Sequence, residues 1–184
     1  AIGRKGSLKV AKEAQKAGII RHIGFTSHTE KTTWQALRTG EFSVVMYPYN
    51  ILNTSAEKRI LKYCQKHDIG FVCMKPVAGG LLTVPSKVFA RMTKGKARTT
   101  AAAAMRYCLG HPGVSTIIPG LNAVKHVGEA LSVLGHEMTE KERQRAVKQV
   151  VKLGEGFCRN CGYCRPCPEG IEINQVFRFY HYYT

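Results

Sequence analysis

His22-Ile23-Gly24-Phe25-Thr26-Ser27-His28 reads as a short strand running into a polar turn, and the pattern on either side of it decides the fold. Upstream, Leu8, Ala11, Ala14 and Ala17 form a helical stripe that Gly18 stops. Downstream, a helix around Trp34 and Leu37 ends at Gly40, and Val44-Val45-Met46-Tyr47 is the next strand. Ser55 is placed to cap a helix carrying Ile60, Leu61 and Cys64. Gly70-Phe71-Val72-Cys73-Met74 is a third strand and Ser115-Thr116-Ile117-Ile118 a fourth. Between these two, Thr99 or Thr100 starts an alanine-rich helix that reaches Leu109. Beyond the fourth strand, Val124, Val127, Leu131 and Leu134 share one helical face.

Four successive strand–helix units imply parallel strands with right-handed crossovers. Gly79 to Arg98 read as an inserted loop between the third strand and the alanine-rich helix. A doubly wound dinucleotide fold places a Gly-rich turn after its first strand, and none of the four strands is followed by G-x-G-x-x-G. A closed (βα)8 barrel takes about 250 residues, so the chain supplies half of one. It opens in a helix with no initiator Met, and the expectation is the C-terminal half of a TIM barrel truncated at its front.

The expected boundaries are a partial (βα) barrel over residues 1–137 and a helical extension over 138–184. Thr139 followed by Glu142 is a capping-box signature. It opens a helix with Ala146, Val147, Val150 and Val151 on one side, which Gly154-Glu155-Gly156 breaks. The closing segment from Ile171 to Tyr183 is rich in Phe and Tyr, expected to pack over the preceding segment and the barrel.

Of the 184 residues, 28 are Lys or Arg and 12 Asp or Glu, a net charge of +16, while 44% are hydrophobic. That composition excludes a disordered basic tail. The cations, Lys9, Lys12 and Lys16 among them, are spread over outward helix faces. No base-reading helix, zinc-finger spacing or RNA-binding aromatic signature accompanies them. Specific nucleic-acid binding is therefore disfavoured, and the charge suits solvated faces and an acidic redox partner. No apolar run approaches the roughly 20 residues of a membrane-spanning helix. No export signal is visible, so a cytoplasmic protein is expected.

Cys64, Cys73 and Cys108 stand apart in apolar or helical surroundings and read as small buried hydrophobes. Four more fall within ten residues, in Cys158-Arg159-Asn160-Cys161-Gly162-Tyr163-Cys164-Arg165-Pro166-Cys167-Pro168. Cysteines three apart are poor disulfide partners, so this is a ligand cluster. C-x2-C-x2-C wraps three thiolates around a compact iron–sulfur cube, and a terminal Cys-Pro accompanies that motif in bacterial ferredoxins. Structural zinc sites pair two knuckles across a longer stretch. A 4Fe–4S cluster is therefore expected ahead of zinc. Cys158, Cys161 and Cys164 are its safer ligands. Cys167 either closes the same cube or leaves the fourth place to another group. Arg159 and Arg165 would offset the cluster's negative charge.

Ile23 to His28, then Tyr49-Asn50, then Met74-Lys75-Pro76 with Gly79-Gly80-Leu81, together resemble an aldo-keto reductase. With the terminal cysteines, the chain is similar to the iron–sulfur-containing branch of that family. The resemblance implies hydride transfer between NAD(P)(H) and a small carbonyl substrate, with the cofactor at the C-terminal ends of the barrel strands. By position, Thr26 and Ser27 match the pair that holds the nicotinamide carboxamide, and a plain strand-to-helix cap is the alternative. Met74 matches a ring-stacking position, Gly79, Gly80 and Leu81 the pyrophosphate loop, Gly120 the adenosine-side loop and Glu129 an adenine contact. Met46 stands where relatives carry Gln. Gly120, Leu121 and His126 stand where basic and hydroxyl residues recognise a 2′-phosphate, which weakens the case for NADPH over NADH.

The family's general-acid Tyr and its Asp, Lys and His partners come from the first four strands. The chain is thus expected to carry no catalytic residue of its own, and the half-barrel to self-associate. The other readings are a ferredoxin-like electron-transfer module and a zinc-stabilised nucleic-acid-binding protein.

Overall fold

A computed structural model of the chain describes residues 6–83, 93, 98–151, 158 and 164–183. Four strands, β1 (Gly24–Thr26), β2 (Val44–Pro48), β3 (Gly70–Met74) and β4 (Thr116–Ile118), form one sheet in the order β1-β2-β3-β4. Every pairing is parallel. The helices before, between and directly after them are α1 (Ser7–Lys16), α2 (Glu30–Leu37), α3 (Ser55–Lys58), α4 (Ile60–Lys66), α5 (Thr100–Leu109) and α6 (Val124–Leu131). They are followed by α7 (Glu140–Val151) and α8 (Ile173–Tyr183).

The strands have two unlike faces because side chains alternate along them. Val45, Tyr47, Phe71 and Cys73 point to the helix layer and are buried, with Leu37, Ile60, Leu61 and Ala103–Ala104 packed over them. The opposite face carries the registered row Thr26, Met46, Val72 and Thr116, in which the end residues are exposed and the middle two half-buried. Parallel sheets are ordinarily covered on both faces. Here one face is covered and the other open.

Local rules place most element ends. Thr99 is the N-cap of α5 and accepts from the Ala102 N–H at 3.0 Å. The Thr139–Glu142 box forms in both directions, Thr139 N–H to the Glu142 carboxylate at 2.8 Å and Glu142 N–H to the Thr139 hydroxyl at 3.3 Å. The Thr139 N–H, and then the Thr139 hydroxyl, which donates to the same carboxylate at 2.9 Å, hold the Glu142 carboxyl below its ordinary range. Gly18 and Gly40 end α1 and α2 at φ +74° and +71°. The Ser115 hydroxyl, one residue before β4, accepts from the Phe71 N–H at 3.0 Å and fills a ladder position with a side chain.

Four expectations need correction. Ser55 is the first residue of α3 and caps nothing; Thr54 precedes it, and the Ser55 hydroxyl donates to Asn53 Oδ1 at 2.8 Å. The helix expected to run through Cys64 is broken at Arg59, whose φ of −141° splits it into α3 and α4. The apolar stripe of α6 faces water: Val124 is 89% exposed and Leu131 61%. The stripe has the right period but no neighbour among the described residues to cover it. Phe179 and Tyr180 of α8 are likewise exposed rather than packed over the barrel. Most of the inserted loop after Thr83 lies outside the described residues.

Candidate functional site

At the C-terminal ends of β3 and β4 the chain opens into a cavity of about 950 Å³, within the range of sites that bury a cofactor-sized ligand. One wall is the turn from Lys75 to Thr83, the other the loop from Ile118 into the first turn of α6. Lys75 (φ +56°), Ala78 (+52°), Gly79 (+67°) and Gly80 (+98°) all lie in the left-handed region. Only glycine adopts it without strain, so the Gly79-Gly80 pair brings bare backbone to the cavity wall. Gly120 has nothing within 4 Å of where a Cβ would stand.

The charges in the cavity are uneven. The cations Lys75 and Lys125 line it, with the His126 ring beside them, against one carboxylate, Glu129. Glu129 is already engaged, because the Thr99 hydroxyl donates to it across from α5 to α6. Cationic side chains beside side-chain-free backbone at a helix start suit a polyanion such as a dinucleotide pyrophosphate. The residues present therefore fit the cofactor implied by the resemblance.

The structure gathers Gly79, Gly80, Gly120 and Glu129 into this cavity. Leu81 adjoins it but packs against the core. Thr26, Ser27 and Met74 are at the same end of the sheet, beyond the cavity lining. Thr26 closes β1, and Met74 closes β3 on the open face beside Ile118. The Ser27 hydroxyl donates to the Thr29 carbonyl at 3.2 Å and accepts from the Thr29 N–H at 3.3 Å, which is the local turn that starts α2. Lys75, Thr99 and Asn122 line the cavity too; Lys75 belongs to the Met74-Lys75-Pro76 stretch that carries the resemblance, whereas the sequence reading gave Thr99 and Asn122 no such place. Their common signal is position, immediately after a strand or before a helix.

A second polar centre lies in the helix layer, away from the cavity. Arg143 of α7, 4% exposed, donates to the Tyr49 hydroxyl at 2.7 Å and to Glu57 at 2.6 Å. Tyr49 and Tyr107 also donate to the same Glu57 oxygen, at 2.5 and 3.0 Å. Arg143 further pairs with Glu140 at 2.6 Å, leaving its buried Nε without a hydrogen-bond partner. This network ties α7 to the end of β2, to α3 and to α5. Burial, then the neighbouring Tyr107, pushes the Tyr49 phenol far above its ordinary value, so it stays protonated and structural.

His111 stacks edge-on to Tyr49 at 5.9 Å between ring centroids. Burial, then the Arg143 charge, lowers its pKa from 6.5. The unfolded chain therefore takes up this proton first, and stability falls as pH drops below about 6.5. The expected result is a lower urea midpoint at about pH 5.5 than at about pH 7.5, with the difference reduced in His111→Phe.

Cys64, Cys73 and Cys108 are fully buried. Burial pushes the Cys64 thiol up to about 11 and raises that of Cys108. Cys64 and Cys108 are protonated, and all three are packing residues. Of the terminal cluster, Cys158 and Cys167 are half-buried, Cys164 is exposed, and none of these three is in a disulfide. Cys161 lies outside the described residues, which among themselves hold no metal-ligating group of three or more. Arg165 is engaged by Glu172 and Asn174.

Residues 7–151 match the model of the aldo/keto reductase family, and the chain belongs to that family. An uncharacterized oxidoreductase of Schizosaccharomyces pombe is 27% identical over 140 residues, covering 76% of this chain and 45% of that protein. The pyridoxine 4-dehydrogenase of Escherichia coli is 24% identical over 137 residues, covering 74% and 47%. The chain thus spans about half the length of the curated relatives it matches. Among solved structures, the holo form of the aldo-keto reductase AKR11C1 from Bacillus halodurans aligns with a TM-score of 0.65 at 23% identity, covering 84% of this chain and 58% of that one. An aldo/keto reductase from Klebsiella pneumoniae, in complex with NADP and acetate, aligns with a TM-score of 0.64 at 20% identity, covering 77% and 52%. These place the four-stranded parallel sheet within the family's TIM-barrel type of fold. No helix among the described residues is long and apolar enough to cross a membrane.

Proposed function

We propose that the chain forms the nucleotide-binding side of a carbonyl-reducing oxidoreductase and holds NAD(P)(H) in the cavity between the 75–83 turn and α6. The observation that carries this reading is the cavity's pairing of Gly79-Gly80 backbone with Lys75, Lys125 and His126. The NADP reported with the Klebsiella pneumoniae structure supports the choice of cofactor. When bound, the nicotinamide would supply a hydride to a carbonyl carbon, or accept one in the reverse direction. The chain's own residues bind and orient. Lys75 and Lys125 offset phosphate charge, Gly120 leaves room on the adenosine side, and Glu129 is held by Thr99. Thr26, Ser27 and Met74 stand at the nicotinamide side.

No residue of this chain is assigned a proton-transfer role. By the family resemblance, the general-acid Tyr and its partners belong to strands that precede β1. Tyr49 is committed to Glu57 and Arg143. Titration of the full chain with NADPH and NADH tests the reading. Micromolar binding is expected, weakened about tenfold by Lys125→Glu through the lost charge contact. A titration without heat or fluorescence change for either nucleotide contradicts it.

For the tail, the proposed group is a 4Fe–4S cluster on Cys158, Cys161 and Cys164, with Cys167 as the fourth thiolate. Four cysteines within ten residues of sequence support it. Such a cluster would relay single electrons to an acidic partner or staple the tail. The free, buried core thiols suit a reducing, cytoplasmic setting. Anaerobic purification should give about four irons and four sulfides per chain, whereas stoichiometric zinc without sulfide contradicts the assignment.

A further inference from the structure

Asn50 lies just past the end of β2 and is buried. The ladder between β2 and β3 runs on beyond the strands, with the Tyr49 N–H donating to the Met74 carbonyl at 3.1 Å. At the next step a side chain replaces backbone, and Asn50 Nδ2 donates to the Lys75 carbonyl at 2.9 Å. The other end of that amide is fixed as well. Its Oδ1 accepts from the Leu52 N–H at 2.9 Å and from the Asn53 N–H at 3.0 Å. A flipped amide would set donors against donors there, so Nδ2 has to face Lys75.

Lys75 is where the cavity wall begins. Its φ of +56° lies in the left-handed region, which a residue with a Cβ adopts only at a cost. Its carbonyl also accepts from the Ala78 N–H at 2.9 Å, closing the first bend of the turn. The following bends carry Gly79 and Gly80 to the cavity. Because Asn50 holds the Lys75 carbonyl, it fixes the peptide that joins Lys75 to Pro76 and so the direction in which the turn leaves β3. At the far end, fully buried Leu82 anchors the turn in the core.

We infer that Asn50 is a positioning residue for the cavity, holding the turn over residues 75–83 in its binding shape from behind the wall. The inference rests on the nucleotide reading and deepens it. A turn that is already shaped for its ligand loses less freedom on binding.

Asn50→Asp tests this, because it removes the donor alone. The carboxylate keeps both acceptor bonds and sets its second oxygen against the Lys75 carbonyl oxygen. Titration of the full chain with NADPH should show binding weakened about tenfold, with the far-UV circular dichroism spectrum unchanged. Asn50→Ser serves if the Asp variant does not fold. Its hydroxyl still suits the bend at Asn53 but is too short to reach Lys75, and the same loss is expected. The decisive readout is the cycle with Lys75→Gly. That change alone weakens binding through the lost charge, yet glycine takes the left-handed backbone without strain. The double variant should therefore bind clearly better than the product of the two single losses. Losses that multiply in full assign Asn50 to its own bend only and overturn the inference, as does unchanged binding in Asn50→Asp. Either result leaves the nucleotide reading standing. Failure of the unaltered chain to bind NADPH or NADH overturns both.

Discussion

Arg143→Met is expected to lower the unfolding free energy by about 3 kcal/mol, because it strips the partner from a carboxylate that two phenols also use. Glu57 sits a third exposed, which limits the penalty, whereas the Arg143 guanidinium is 5% exposed and buries most of the pair's cost. The loss is a large share of the roughly 5–15 kcal/mol that holds a domain together. Three hydrogen bonds at Glu57 Oε1 converge from α7, β2's end and α5, so the damage should reach beyond α7. Urea denaturation measures it. A double-mutant cycle with Glu57→Gln separates coupling from simple deletion. The pair should cost clearly less than the two single changes added together. Strict additivity would mean that α7 is held by Ala146 and Val150 alone.

Gly110→Ala is the second large effect. A Cβ there would stand 2.1 Å from the Met138 carbonyl oxygen and 3.0 Å from its carbon. Both are backbone atoms, and they cannot swing aside. The same segment is pinned to α5 by the Met138 N–H donating to the Arg106 carbonyl at 3.1 Å and by Arg106 Nε donating to the His136 carbonyl. Moving the backbone would pull on both bonds. Overpacking of this kind costs about 2–3 kcal/mol, which should lower the melting temperature by about 5–10 °C in a domain of this size. Gly128→Ala is the matched control. Gly128 lies within α6 with nothing within 4 Å of the new Cβ. There the methyl should raise stability by about 0.5–1 kcal/mol through helix propensity. Differential scanning calorimetry of the two variants would show shifts of opposite sign.

The strands and caps were legible in the sequence for local reasons. Thr99 and the Thr139–Glu142 pair signal helix starts within four residues, and the alternation at Val44 to Tyr47 carries its own period. Ser55 misled because Thr54 and Asn53 offer competing hydroxyl and amide groups within the same turn. The stripe of α6 was legible as a stripe, but a pattern of period 3.6 does not say what lies against it. The Arg143 centre was invisible for another reason. Its members, Tyr49, Glu57, Tyr107 and Arg143, are up to 94 residues apart, and each alone reads as an ordinary polar or aromatic residue.

The cavity falls between these cases. Gly79, Gly80, Gly120 and Glu129 were found through the family resemblance, and the fold brings them together. Thr99 and Asn122 needed the fold itself, because only the parallel register places the ends of β3 and β4 side by side.

Hydrogen–deuterium exchange of the full chain, with and without saturating NADPH, tests most directly where the dinucleotide sits. Protection is predicted in two stretches, the turn over residues 75–83 and the loop into α6 over residues 118–126. The α7 network should be unaffected. Nucleotide-dependent protection confined to other segments, or none at saturation, would contradict the assignment of this cavity.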